Sequence, residues 1–235
     1  MPDTDYEIYS IGDAAVTLDF GNHIDKLLNR KALAIQQWIF TNTFPGLKDV
    51  IVSYSAVSVF FDPIAIQSLS PGKTSFQFIS EKLKTAMKLT GYAEEGGEGS
   101  VVEIPVCYDS EFGYDLPYVS REKNLSTTEI IELHVSKIYY VYMLGFLPGF
   151  SYLAELNERL VLPRKPKPVP VVAGSVGIAG SQTGVYSLNC PGGWHIIGRT
   201  PLKLFDAGNS PPVWLKAGDH VRFKPISRDE FDHWV

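Results

Sequence analysis

Residues 172–180 carry the stretch VAGSVGIAG, which decides the fold class expected for the second half of the chain. Alternation in a strand places Val172, Val176 and Ile178 on one face, while the other face carries only small side chains. The branched face packs a core, and the nearly bare face lets a second backbone or a ligand approach closely. The pattern therefore leaves two interpretations open. One is close packing inside a tight barrel, and the other is a binding site in which Ser175 supplies the only polar side chain.

The sequence around this stretch is rich in turn-forming residues. Ten of the 16 prolines and 11 of the 20 glycines lie between Gly145 and Pro225, which leaves no room for a long helix there. Several short strands separated by turns are typical of a β-barrel or a sandwich. The strands that we expect from the alternation are 138–143, 172–178, 184–187, 195–199 and 220–223.

The first ninety residues have a different organisation. Two pairs of period-2 segments, each followed by an amphipathic helix, predict the order ββαββα. Residues Glu94–Gly99 are acidic and glycine-rich with no large apolar side chain, which is typical of a linker. We therefore expect an α+β protein with an N-terminal α/β subdomain at residues 1–95 and a β-barrel domain at residues 100–235.

Composition excludes several classes of function. A net charge of −5 argues against a nucleic-acid or anionic-membrane partner, since both need a basic surface. The two cysteines, Cys107 and Cys190, have no Cys or His at metal-ligand spacing, so no metal site is expected. The start of the sequence does not resemble a secretory signal, and no stretch is apolar enough to span a bilayer as a helix. We expect a soluble cytoplasmic protein.

Two segments that follow the VAGSVGIAG stretch carry candidate binding residues. Gln182 lies in a polar, glycine-bounded segment that is typical of a hairpin turn or of a set of ligand contacts. Trp194 offers a flat wall, and Arg199 offers a planar fork for a carboxylate or a phosphate. The alternative for Arg199 is a tie to a buried carboxylate such as Asp206 or Asp219.

Two further segments extend the candidate surface. Phe146 and Tyr152 flank a Pro-Gly turn in an aromatic run, so we expect them to line a cleft or a subunit interface. Arg164 belongs to the basic loop 163–168, for which a solvated surface is preferred over an anion clamp. His134 is expected to act as a cap or dipole partner near a helix end.

No catalytic residue emerges from these patterns. The sequence has no Gly-x-Ser-x-Gly motif, and its glycine-rich loop is not followed by Gly-Lys-Ser/Thr. Cys190 and His195 could form a nucleophile pair, but an inert thiol is the preferred interpretation. The sequence therefore predicts a binding cleft, and the catalytic residues stay unknown.

Four longer motifs resemble one known family. They are VEIPVCY at 102–108, YMLGFLPGF at 142–150, AGSVGIAGSQTG at 173–184, and PGGW at 191–194 with IGRTP at 197–201. Together they resemble the family of the 5-oxoprolinase B subunit, also called the KipI sporulation-kinase inhibitor family or allophanate hydrolase subunit 1. The resemblance runs from about Tyr6 to Ile226.

The resemblance implies a C-terminal cyclophilin-like β-barrel and a role in ATP-dependent opening of 5-oxoproline to glutamate. It implies the larger C subunit and the A subunit of 5-oxoprolinase as partners, with ATP used by the assembled enzyme and with no activity of this chain alone. Two alternatives remain at this point. One is a module that inhibits a sporulation histidine kinase, and the other is a component of a carboxyltransferase related to urea carboxylase. The residues expected at the substrate are Ser175, Gln182, Trp194, Arg199, Phe146, Tyr152 and Arg164.

Overall fold

The computed structural model describes residues 5–21, 23–90 and 101–234. Contacts between Cα atoms divide the chain into two compact units, Met1–Gly96 and Gly97–Val235. The expected linker Glu94–Gly99 lies outside the described residues, so the boundary proposed there stays a prediction.

The described part of the first unit is one antiparallel sheet with helices packed against one face. Its strands lie in the order β1-β2-β4-β3. The elements are, in chain order, β1 (Glu7–Ser10), β2 (Ala15–Asp19), α1 (Lys26–Thr41), β3 (Leu47–Ser53), β4 (Ala56–Phe61), α2 (Pro63–Leu69) and α3 (Ser75–Leu89). The order confirms the expected ββαββα pattern and adds one short helix, α2, which begins where Asp62 caps the backbone N–H groups of Ile64 and Ala65.

The core of this unit follows from alternation in the strands and from one helix face. Val16 and Leu18 of β2 pack against Ile35 and Ile39 of α1 in one buried cluster. Leu27 is exposed, because it lies in the first turn of α1 beyond the edge of that cluster. The helix itself begins at its Asp25 cap.

The described part of the second unit, residues 101–234, is dominated by strands. Its elements are β5 (Val101–Cys107), α4 (Leu116–Lys123), α5 (Thr127–Val135), β6 (Ile138–Leu144), β7 (Ser151–Ala154), a 3-10 turn (Glu158–Leu160), β8 (Val169–Val171), β9 (Ser175–Ala179), β10 (Gln182–Val185), β11 (Cys190–Gly192), β12 (His195–Arg199), β13 (His220–Ile226) and α6 (Arg228–Asp232). Seven of these strands close into a barrel, and β8 pairs with β11 in a separate ribbon.

The barrel confirms the fold class expected from the glycine-rich second half. Its strand order is β10-β7-β6-β13-β5-β12-β9, and within it β5 and β13 pair in parallel. Val176 and Ile178 of β9 point into the buried barrel core, as alternation predicts. Ile104 and Phe223, from β5 and β13, belong to the same core.

Two strand boundaries differ from the expectation. The strand predicted from Val172 begins only at Ser175, because Gly174 has φ +85° and breaks the extended backbone before it. Val172 is consequently 47% exposed instead of joining the core. Gln182, expected in a turn, is the first residue of β10, so the actual turn is only Gly180 and Ser181.

His134 fills the barrel interior, so its expected role as a helix cap is wrong. Its ring is fully buried, with Nδ1 2.8 Å from the Tyr108 hydroxyl and Nε2 2.9 Å from Thr183 Oγ1. The ring also stacks on Phe223 at a centroid distance of 4.5 Å. Burial lowers the pKa of His134 to about 3, so the imidazole is neutral and cannot interact with the helix dipole as a cation.

Candidate functional site

The small-residue face of β9 and β10 is covered by Trp194. A Cβ added to Gly177 would lie 3.1 Å from Trp194 Cβ, and a Cβ added to Gly184 would lie 3.1 Å from Trp194 Cζ3. The indole is 7% exposed and belongs to a buried cluster outside the barrel core. The bare strand face therefore makes room for an aromatic side chain of the same chain outside the barrel core, which differs both from a strand packed within the barrel and from a bound ligand.

Aromatic rings continue this cluster toward the turn between β6 and β7. Phe150 makes edge contacts with Trp194 and Tyr152 at centroid distances of 5.5 and 4.8 Å. Phe146 contacts Phe150 at 5.8 Å but is itself 63% exposed, at a backbone φ of +67°. Phe146 and Tyr152 thus lie on one aromatic surface with Trp194, and Phe146 is the ring of that surface most open to solvent.

Arg164 lies beside this aromatic surface. Its Nη2 lies 3.5 Å from the position that a Cβ on Gly193 would occupy. Burial raises the pKa of the Tyr152 hydroxyl, and the positive charge of Arg164 opposes that rise. The structure therefore brings together Phe146, Tyr152, Arg164 and Trp194, four of the residues that the sequence selected.

The basic loop 163–168 is exposed as expected, except at Lys165. Lys165 Nζ lies 2.6 Å from Asp115 Oδ2, and the two side chains are only 15% and 16% exposed. The same carboxylate oxygen accepts the backbone N–H of Ile196 at 2.7 Å. The backbone N–H of Lys165 donates to the Gly193 carbonyl at 2.7 Å. These contacts anchor the loop to the strand that carries Arg199, so the expectation of a merely solvated loop is wrong for Lys165.

Arg199 ends β12 and is partly exposed. Its Nε donates to the Ala173 carbonyl at 3.0 Å. Its guanidinium carbon lies 5.7 Å from the ring centroid of Phe112 and 5.9 Å from that of Phe231. Within residues 101–234, Arg199 has no carboxylate within 4 Å, and its two terminal nitrogens donate no hydrogen bond.

The alternative partners suggested for Arg199 are engaged elsewhere. Asp206 pairs with Lys203 Nζ at 2.7 Å, and Asp219 accepts the backbone N–H of Lys216 at 2.9 Å. The alternative prediction, an ion pair from Arg199 to either of these carboxylates, is therefore wrong.

Ser175 and Gln182 mark the two ends of the β9–β10 hairpin. Ser175 pairs with Arg199 across β9 and β12 and is 1% exposed. Gln182 pairs with Ala179 and Ala154 at the opposite end. Four residues of β9 separate these ends by about 13 Å. Phe146, Tyr152, Arg164 and Trp194 thus form one group, and Ser175 and Arg199 form another. Gln182 lies on the side of the first group, because its partner Ala154 is two residues along β7 from Tyr152. Contact of these candidates with a substrate stays a prediction.

Cys190 lies in the outer ribbon, opposite Val171. Burial raises the pKa of its thiol, which disfavours the thiolate that a nucleophile needs. His195 stacks on Tyr118 at 5.0 Å, and its Nε2 lies 3.0 Å from the Pro163 carbonyl. The imidazole is engaged there, which agrees with an inert Cys190.

Sequence reasoning missed three residues around Arg199 and Lys165. Phe112 and Phe231 face Arg199, and Asp115 holds Lys165. No local motif joins these positions, because the partners lie tens of residues apart in the chain. The one usable signal is the capping box Ser227–Glu230, which predicts the helix that carries Phe231.

Metal-binding clusters and membrane-spanning helices are both absent from the residues that the structure describes. No group of three or more His, Cys, Asp or Glu side chains could hold a metal ion there. In the same residues, no helix combines the length and the apolar character needed to cross a bilayer.

The fold and these motifs define the carboxyltransferase class of domains. The family described as "Carboxyltransferase domain, subdomain C and D" matches residues 6–215. The solved structure of the protein TTHA0988 superposes with a TM-score of 0.77 at 37% identity, over 91% of this chain and 40% of that chain. The chain therefore corresponds to less than half of that longer protein.

Curated relatives narrow the class. The B subunit of 5-oxoprolinase from Bacillus subtilis is 42% identical over 228 residues, which cover 96% of this chain and 95% of that protein. The B subunit of 5-oxoprolinase from Escherichia coli O157:H7 is 50% identical over 54% of this chain and 59% of that protein. The chain belongs to the family of the 5-oxoprolinase B subunit.

Proposed function

We propose that this chain is the B subunit of an ATP-dependent 5-oxoprolinase. The assembled enzyme converts 5-oxoproline, ATP and water into glutamate, ADP and phosphate, and it also contains an A subunit and a larger C subunit. The observation that carries the proposal is the 42% identity to the Bacillus subtilis B subunit along nearly the full length of both chains.

The chemistry explains why such a chain works within an assembly. The lactam of 5-oxoproline is a stable amide, so its hydrolysis is coupled to ATP through phosphorylation of the carbonyl oxygen. The glycine-bounded segment 180–184 is not a nucleotide-binding loop, because it continues into strand β10 and not into a helix N-terminus. We therefore assign ATP binding to the partner chains.

The part that we assign to this chain is to bind and orient the substrate. Arg199 supplies a positive charge whose two terminal nitrogens are not used inside residues 101–234. The aromatic surface of Phe146, Tyr152 and Trp194 supplies apolar contact area, with Arg164 at its side. A wall of this kind fixes the position of a small ring, while the reacting groups come from the partners.

Reconstitution tests the proposal. The purified chain is assayed with 5-oxoproline and ATP, alone and with both partner chains, and both glutamate and phosphate are measured. We expect turnover only in the three-chain mixture. Equal turnover without this chain, or full turnover by this chain alone, would contradict its role within the assembly.

Arg199 gives a sharper test in the assembled enzyme. Arg199→Ala removes one charged hydrogen-bonded contact, so kcat/KM should fall by about 10- to 100-fold. Arg199→Lys should recover only part of that loss, because an ammonium group lacks the planar fork. The matched control is Arg222→Ala, since Arg222 is an exposed arginine of β13 that pairs with Glu103 at 4.0 Å. Equal losses in both alanine variants would show that the effect is not specific to Arg199.

A further inference from the structure

Two arginines share the ring of Phe112, and they differ in how their charges are neutralised. Arg228 lies 4.6 Å from the Phe112 centroid and is paired with Glu111 at 2.6 Å and with Asp232 at 2.8 Å. Arg199 lies 5.7 Å from the same centroid and has no carboxylate partner among the described residues. In the described part of the chain, carboxylates therefore match the charge of Arg228, whereas none matches the charge of Arg199. Arg199 is thus the guanidinium of this group that remains open to a ligand.

The second wall of Arg199 comes from helix α6. Phe231 lies 4.4 Å from Phe112 between ring centroids, and 5.9 Å from the guanidinium carbon of Arg199. The helix is placed by the Ser227–Glu230 capping box and by the ion pair from Arg228 to Glu111. Residues 228–232 lie beyond the stretch 6–215 that matches the carboxyltransferase domain family. Phe231 therefore lies outside the matched stretch, whereas Phe112 and Arg199 lie inside it.

We propose that Arg199, with Phe112 and Phe231 as walls, forms a subsite for the carboxylate of a small cyclic acid, and that Phe231 is its positioning residue. The one unpaired guanidinium charge of Arg199 balances one negative charge, so a monocarboxylate fits this subsite better than a phosphate dianion. The aromatic rings hold the guanidinium through cation–π contacts, which restricts its rotation while Nη1 and Nη2 remain available. The identity of the acid, 5-oxoproline, rests on the proposed function.

Arginine-selective labelling tests the subsite on the intact chain without partners. The chain is treated with phenylglyoxal, and modification of each arginine is followed by peptide mass spectrometry. Two added compounds are compared, 5-oxoproline and 2-pyrrolidinone, which has the same lactam ring without the carboxylate. We expect Arg199 to react and to be protected by 5-oxoproline but not by 2-pyrrolidinone. Arg228 serves as the internal control, because its charge is already paired and its labelling should not respond to either compound.

Substitutions at Phe231 separate positioning from stability. Phe231→Leu keeps apolar volume but loses the ring, so we expect the 5-oxoproline concentration for half-protection of Arg199 to rise about two- to five-fold. Phe231→Tyr keeps the ring and should restore the original value. A thermal melt of each variant reports folding separately. A lower melting temperature in the leucine variant with unchanged half-protection would overturn the positioning role.

Other results would overturn the subsite itself. One is an Arg199 that stays unlabelled while the exposed Arg164 reacts fully. Another is protection by 2-pyrrolidinone equal to that by 5-oxoproline. Acetate is included as a function-independent monocarboxylate. If acetate protects Arg199 and protection depends on Phe231, while the reconstituted three-chain mixture hydrolyses no 5-oxoproline, the subsite stands and the proposed function fails.

Discussion

His134 makes the stability of the barrel depend on pH in a way that can be calculated. Its ring is buried between Tyr108 and Thr183, and burial lowers the pKa of the imidazole to about 3. In the unfolded chain a histidine titrates at about 6.5. Between these two values the unfolded chain binds a proton that the folded chain does not, so the free energy of unfolding falls as the pH falls.

The size of this change in the free energy of unfolding follows from the pKa of the histidine in the unfolded chain alone, as long as the folded ring stays neutral. At pH 7.5 the contribution of His134 to the pH dependence of the free energy of unfolding is near zero. At pH 5.5 the ring is about 90% protonated in the unfolded chain, which lowers the free energy of unfolding by about 1 kcal/mol. Groups other than His134 are the same in the wild-type and His134→Gln chains, so the difference between the two pH dependences isolates this ring. The wild-type chain should therefore lose about 1 kcal/mol more than His134→Gln over this interval.

Urea denaturation at several pH values measures this difference. The glutamine variant lacks the ionisable ring, so its own lower stability does not matter for the comparison of slopes. His233→Gln is the matched control, because His233 is exposed on the protein surface. Parallel pH dependence in the wild-type and His134→Gln chains would refute the reasoning. Should the variant not fold, NMR titration of the His134 ring decides, since protonation of the folded ring near pH 6 would equally refute it.

Three further predictions concern packing and folding. Gly184→Ala should destabilise the chain by about 1–3 kcal/mol in urea melts, because its Cβ would lie 2.7 Å from the Ser151 carbonyl oxygen. The control is Gly208→Ala, which should be nearly neutral because the nearest atom to its Cβ would lie 3.4 Å away. Asp115→Asn should cost about 1–3 kcal/mol by the same measurement, since it leaves Lys165 partly buried without its counter-charge. Residues 101–234 expressed alone should melt in one cooperative transition by circular dichroism, because every residue of the barrel core lies in that segment. A broad, non-cooperative melt of that fragment would count against an independent barrel domain.

Local sequence patterns predict much of this fold, because neighbouring residues determine where many of its strands and helices form. Strand β12 has the expected bounds, His195–Arg199, since alternation and flanking turn residues define it within a few positions. The start of β9 was misplaced because alternation cannot reveal that Gly174 adopts φ +85°. The same limit applies to Gln182, whose polar neighbours are typical of a turn although the backbone stays extended.

The candidate site was only partly predictable because its contacts are long-range. Alternation identified the bare face of β9, but it could not tell whether Trp194 or a ligand would cover that face. The rings around Arg199 come from positions 87 residues before it and 32 residues after it, and no sequence periodicity links such distant positions. The burial of His134 could not be predicted either, since the pattern of an amphipathic helix does not show that one of its polar side chains enters a barrel.

The parallel pairing of β5 with β13 has a consequence for how the chain acquires its structure during synthesis. These two strands are the first and last of the barrel, and Val101 lies opposite His220. A ribosome must therefore translate the whole intervening segment before the ring of strands can close. Until then β5 presents an unpaired strand edge, which is the kind of surface that associates with other chains. Nascent chains that stop short of β13 should be recognised by chaperones or aggregate, and a slow closing step is expected in refolding because contacts so distant in sequence form late.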